Sequence, residues 1–107
     1  MLPIPTSRAV VAEFFDEAIQ AYKRALALSQ KACGKGVGAA CAVVGYMLSG
    51  GVGVKKDFPR ALQMLVRGCK LGSRDSCSNA GLLLWNKPTL GKGKADALQW
   101  LIRACDL

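Results

Sequence analysis

Five cysteines are the residues of this 107-residue chain best suited to chemistry, and no histidine accompanies them. Without histidine, Ser-His-Asp and Cys-His nucleophilic arrangements are excluded. A serine acylation site of the Ser-x-x-Lys kind is absent too. The six serines, Ser7, Ser29, Ser49, Ser73, Ser76 and Ser78, are followed three positions later by Val, Ala, Val, Ser, Asn and Gly. Zinc sites want cysteines two to four apart or histidines. Cys33 and Cys41, like Cys69 and Cys77, are separated by seven residues, a spacing across a helix turn that suits a disulfide better than a metal. The run Gly50 to Gly53 lacks the Gly-Lys-Ser/Thr ending of a phosphate loop and follows a helical pattern, so it reads as a turn between helices. Asp16 and Glu17 are neighbours on a helix and cannot face each other. They read as solvated or as partner contacts. The chain is expected to be no enzyme and to need no cofactor or metal.

The cysteines mark a period. Cys69 and Cys77 each stand 36 positions after Cys33 and Cys41, and Cys105 stands 36 after Cys69. The same offset aligns Ala25-Leu26, Ala61-Leu62 and Ala97-Leu98. It also aligns Lys31, Arg67 and Arg103, Gly45 with Gly81, and Leu48 with Leu84. An ungapped period of this length is an internal repeat.

The elements that carry the comb are helices. Met1 to Thr6 reads as an extended lead-in and Ser7 as a helix cap. Val11, Phe14, Phe15, Ala18, Tyr22, Ala25, Leu26, Ser29 and Cys33 follow the rhythm of one buried helical face, predicting a first helix to about Ala32. Further helices are predicted over about Ala39–Ser49, Asp57–Leu71 and Arg74–Asn86, and from Lys94 to the end. Asp57 is the cap of the third, and glycine-rich turns separate them. No segment alternates with period two. The expectation is a single all-α domain, a short α/α solenoid of about five antiparallel helices. Residues 7–33 form an N-terminal helix, 34–71 repeat one and 72–107 repeat two.

Apolar residues make up 51% of the chain, enough for a core, but a domain this small often needs covalent help. No stretch approaches the ~20 apolar residues of a membrane span. Met1 to Val11 lacks a charged start followed by an apolar run, so it is not expected to be a secretory signal. Paired cysteines then leave three options: a signal missing from this chain, reduced thiols in cytosol, or entry into an oxidising compartment without a cleaved signal. The third is the expectation, as for small cysteine-paired proteins of the mitochondrial intermembrane space. Net charge is +8, and from Ala18 onward 14 basic residues face 4 acidic ones. Such a balance suits acidic proteins or anionic lipid, or else a solvated basic face. Nucleic acid is not expected, because two repeats with seven aromatics in all would read very few bases.

The segment Ala40 to Leu48, then Gly50 to Asp57, Arg60-Ala61 and Arg67-Gly68-Cys69, resembles the Sel-one-like repeat, a relative of the tetratricopeptide solenoids. More closely it looks like the cysteine-rich, 36-residue branch. The likeness is good from about Lys31 onward. It weakens in the second repeat, where Asn86 to Leu90 replaces the glycine-valine turn. The resemblance implies bridges Cys33–Cys41 and Cys69–Cys77, one of three pairings open to four cysteines. Cys105 is left unpaired, most simply as a packed thiol. The branch includes a mitochondrial cytochrome c oxidase assembly factor and secreted bacterial proteins labelled β-lactamase-like.

In the resembled pattern Cys41, Val44, Gly45, Met47 and Leu48 are core. Ala42, Val43 and Tyr46 face the concave side, with counterparts Ser78, Asn79 and Leu82, and Trp85 one turn on. Val43, Tyr46, Leu82 and Trp85 are then apolar where solvent is expected, unless the first or fifth helix covers them. With Lys55, Lys56, Arg60, Lys70 and Arg74 as a basic surround, they are the expected partner-binding residues. The expected function is a non-enzymatic accessory subunit or assembly factor of a mitochondrial respiratory-chain membrane complex. It would face the intermembrane space, its partners being other subunits and anionic lipid. The alternative is a secreted or periplasmic bacterial repeat protein that binds host or cell-wall ligands.

Overall fold

The computed structural model describes residues 8–107, with side chains from Ala12 onward. The expected Ser7 cap, the lead-in before it and the burial of Val11 lie outside the described residues. Five helices follow: α1 (Arg8–Gly34), α2 (Gly38–Gly50), α3 (Phe58–Lys70), α4 (Arg74–Asn86) and α5 (Lys94–Cys105). A 3₁₀ turn at Pro88–Leu90 bridges the last two, where the sequence suggested only a loop.

Local chemistry explains the boundaries. Asp57 caps α3 by accepting from the Arg60 backbone N–H at 3.1 Å, and Ser73 caps α4 by accepting from Ser76 N–H at 3.3 Å. Pro59 sits in the first turn of α3, where its missing N–H costs nothing. Gly36 and Gly72, one period apart, both take φ of +92°, a left-handed conformation that closes the α1–α2 and α3–α4 turns at low cost.

Each helix packs against its sequence neighbour, and α2 also touches α4, so α2 and α4 form an inner layer against α1, α3 and α5. Helix α2 carries no charged residue because it is enclosed by α1, α3 and α4. The core is built from Leu26, Val44, Met47, Leu48, Ala61, Leu65, Ala80 and Leu83, with Leu84 fully buried beside them. Cys69, Cys77 and Ala104 form a second cluster beneath Trp100. Among the described residues there is no strand, and no helix is long and apolar enough to cross a membrane.

One expectation fails. The rhythmic face of α1 is buried only toward its C-terminal end, at Leu26 and Cys33, whereas Phe14 (71% exposed), Phe15, Tyr22 and Ala25 face solvent. Length is the cause. Helix α1 has 27 residues and its partner α2 has 13, so about half of α1 extends past the body. This overhang helps make the molecule 59 Å long against 29 and 23 Å in the other directions.

Candidate interaction surface

The cysteine comb becomes covalent structure. Cys33 on α1 is bonded to Cys41 on α2, and Cys69 on α3 to Cys77 on α4, with Cα atoms 4.7 and 4.5 Å apart. All four are buried. Each bridge clamps an odd helix to the inner helix that follows it, fixing the register of that pair. Two polar links tie the two pairs together. The buried Ser76 hydroxyl donates to the Gly38 carbonyl at 3.3 Å, tying the N-terminal ends of α2 and α4. Arg67 donates to the Gly34 carbonyl at 3.3 Å, placing a cation on the C-terminal end of α1. Cys105 is free and exposed rather than packed. It is the last residue of α5, and among the described residues no inner helix covers it as α2 and α4 cover Cys33 and Cys69.

With the inner helices so held, Tyr46 and Leu82 come side by side. They are the same position of successive repeats. They line a groove of about 290 Å³ between α2 and α4, together with Ser49, Phe58, Leu65, Asn79, Leu83, Asn86 and Lys87. Tyr46 is 66% exposed and Leu82 52%. Val43 and Trp85 lie one turn away on the same two helices and are exposed too. Helix α1 leaves the strip open, and α5 reaches it only through Lys94 over Trp85. Ala42, expected on this face, is instead buried, and Ser78 and Asn79 are half-buried, because the inner helices approach each other closely on that side.

Lysines frame the aromatics. The Lys94 ammonium sits 4.4 Å from the centre of the Trp85 ring and Lys87 sits 4.5 Å from that of Phe58. The other basic candidates are scattered. Lys55, Lys56 and Arg60 line a shallow depression at the start of α3 with Val54 and Phe58. Lys70 lies on another face of α3 with Met64 and Val66, and Arg74 lies beside Leu101 and Cys105, where it donates to the Leu107 carbonyl. The sequence missed Phe58, Lys87 and Lys94. Phe58 and Lys94 are one period apart, so the comb could have flagged them as equivalent positions. Lys87, 29 residues from Phe58, left no comparable signal.

An all-α solenoid stapled by disulfides and bearing an open apolar groove is a helical-repeat protein-interaction scaffold. The chain matches the Sel1 repeat over residues 16–37, 38–73 and 91–107, more than half its length, and it belongs to the Sel1 repeat family. No curated protein and no solved structure matches it.

Proposed function

We propose that this chain is an accessory subunit or assembly factor of a mitochondrial respiratory-chain membrane complex, working without catalysis in the intermembrane space. The observation that carries the reading is the exposed Tyr46–Leu82 strip over the groove between α2 and α4, framed by Lys87 and Lys94. Apolar side chains held open on two inner helices, each cross-linked to the outer helix before it, suit an amphipathic helix of another subunit. The basic balance suits a partner with acidic flanks, or anionic lipid beside it. Two disulfides within 11.3 kDa fit an oxidising compartment, and the cysteine-rich branch it resembles includes a factor of that compartment.

The test is isolation of the tagged chain from mitochondria under non-reducing conditions, followed by native electrophoresis. Co-migration with a respiratory complex is expected, and Leu82→Glu with Trp85→Glu should abolish it while the melting temperature holds. Co-migration unchanged by that pair would remove the groove from the reading. Recovery of the protein only from a secreted fraction would favour the alternative of an extracellular repeat protein.

A further inference from the structure

The overhang of α1 carries an unpartnered amphipathic surface. Phe14, Phe15, Ile19 and Tyr22 are all exposed. At 100° per residue they fall with Ala18 along one stripe, and Glu13, Asp16 and Glu17 lie on the opposite side and along its edges. Three of the chain's seven acids therefore sit on this arm, while everything after it is strongly basic.

We propose that the arm, residues 12–22, seats in the groove between α2 and α4 of a second copy of this chain, giving an arm-exchanged homodimer. Charge supports this occupant: acids at the stripe's edges meet Lys87, which lines the groove, and Lys94, which sits over Trp85 one turn beyond it. Chemistry agrees, since Phe14, Phe15 and Ile19 meet Tyr46, Leu82 and Trp85. Position also agrees. The arm leaves the body at Tyr22, against which the Gly53 turn after α2 packs. The groove, lined by Ser49, Asn86 and Lys87, opens at the same end of the inner helices. Because α1 is continuous, the arm points away from its own groove. Two copies facing across a two-fold axis can each receive the other's arm, closing the assembly at two.

The area suffices. Exposed apolar surface on the arm is on the order of 400 Å². Two arms and the two grooves they cover come to roughly 1,500 Å², within the range of specific interfaces.

The proposal rests on the groove being a docking surface, and a partner subunit would compete with the arm for it. Sedimentation equilibrium of the oxidised full chain tests it. A dimer is expected, weakening as salt rises, since the acid–lysine contacts lie at an exposed rim. Phe14→Glu with Phe15→Glu on the arm, or Leu82→Glu in the groove with Trp85→Glu one turn beyond it, should each weaken dimerisation at least ~30-fold, the scale of a lost hot spot. Because these side chains are exposed, circular dichroism melts taken at concentrations low enough for the parent chain to be monomeric should be unchanged. An equimolar mixture of the arm variant and the groove variant should recover a heterodimer, since one arm and one groove remain intact. A monomer at every soluble concentration, or a dimer indifferent to the arm variant, overturns the proposal. Either result leaves the groove reading to be judged separately by the co-migration of the arm variant with its complex.

Discussion

Gly45 lies directly beneath Leu65, so close that there is no room for a Cβ, and one period on Gly81 stands in the same relation to Leu101, where an added Cβ would come within 2.6 Å of Leu101 Cγ. The repeat thus conserves a contact and not merely a spacing: the inner helix approaches the next outer helix at a residue without a side chain. This is where α2 meets α3 and α4 meets α5, the two most intimate pairings in the fold.

Gly45→Ala should therefore destabilise the chain. Alanine gains about 1 kcal/mol of helix propensity over glycine. Overpacking a fully buried neighbour costs about 1–3 kcal/mol, and Leu65, only 1% exposed, can yield in one direction alone, toward the groove it lines. The net expectation is a loss of about 0–2 kcal/mol, a fall in melting temperature of up to roughly 16 °C for a domain of this size. Gly81→Ala should be close to neutral, because Leu101 is half-buried and can swing toward solvent. Thermal melts of the two oxidised variants, side by side, check the contrast.

The bridges make a second prediction. Each closes a nine-residue loop, worth roughly 2–3 kcal/mol on the chain-entropy account. Reducing both should lower the melting temperature by roughly 20 °C or more if the contributions add. Alkylation of the native, unreduced protein should label Cys105 alone, because the other four cysteines are bonded and buried. Peptide mass spectrometry reads this directly, and label on any other cysteine contradicts it.

The third concerns the caps. Asp57→Ala removes the acceptor for the Arg60 N–H and should cost ~1 kcal/mol, and Ser73→Ala about the same at α4. Asp57→Asn keeps a side-chain oxygen and should change the melting temperature little. A loss with asparagine as large as with alanine would show that the carboxylate charge, rather than the cap bond, holds this turn.

Much of the fold was legible because period and chemistry coincided. Asp57, Gly36 and Gly72 sit where a repeat needs caps and turns, and the start of α4 after Gly72 follows from them. Burial along α1 was not legible. Its apolar rhythm says that a face wants covering, and nothing in Phe14 or Phe15 says whether the covering element exists in the same chain. The groove was half legible. Tyr46 and Leu82 share a repeat position and could be paired on the comb, whereas Lys87 meets Phe58 only because the turn after α4 folds back toward α3. Ala42 was misplaced for a related reason: helical spacing assigns a face, but the proximity of α4 decides whether that face is wet.

Tyr46 and Leu48 give the sharpest test of what is surface and what is core. They are two residues apart on α2, yet Tyr46 is 66% exposed and Leu48 is 1% exposed among Val44, Leu65 and their neighbours. Leu48→Ala removes buried methyl groups and leaves a cavity, so it should cost about 2–5 kcal/mol, a large share of the stability of a small domain. Tyr46→Ala removes a larger side chain but little buried surface, so its effect should stay within about 0.5 kcal/mol. Urea titrations followed by far-ultraviolet circular dichroism measure both. If Tyr46→Ala proves as costly as Leu48→Ala, Tyr46 belongs to the core, and the strip it forms with Leu82 is not free to dock a partner. If it proves neutral, the ring stands in water without contributing to the fold, which is the condition a docking residue must meet.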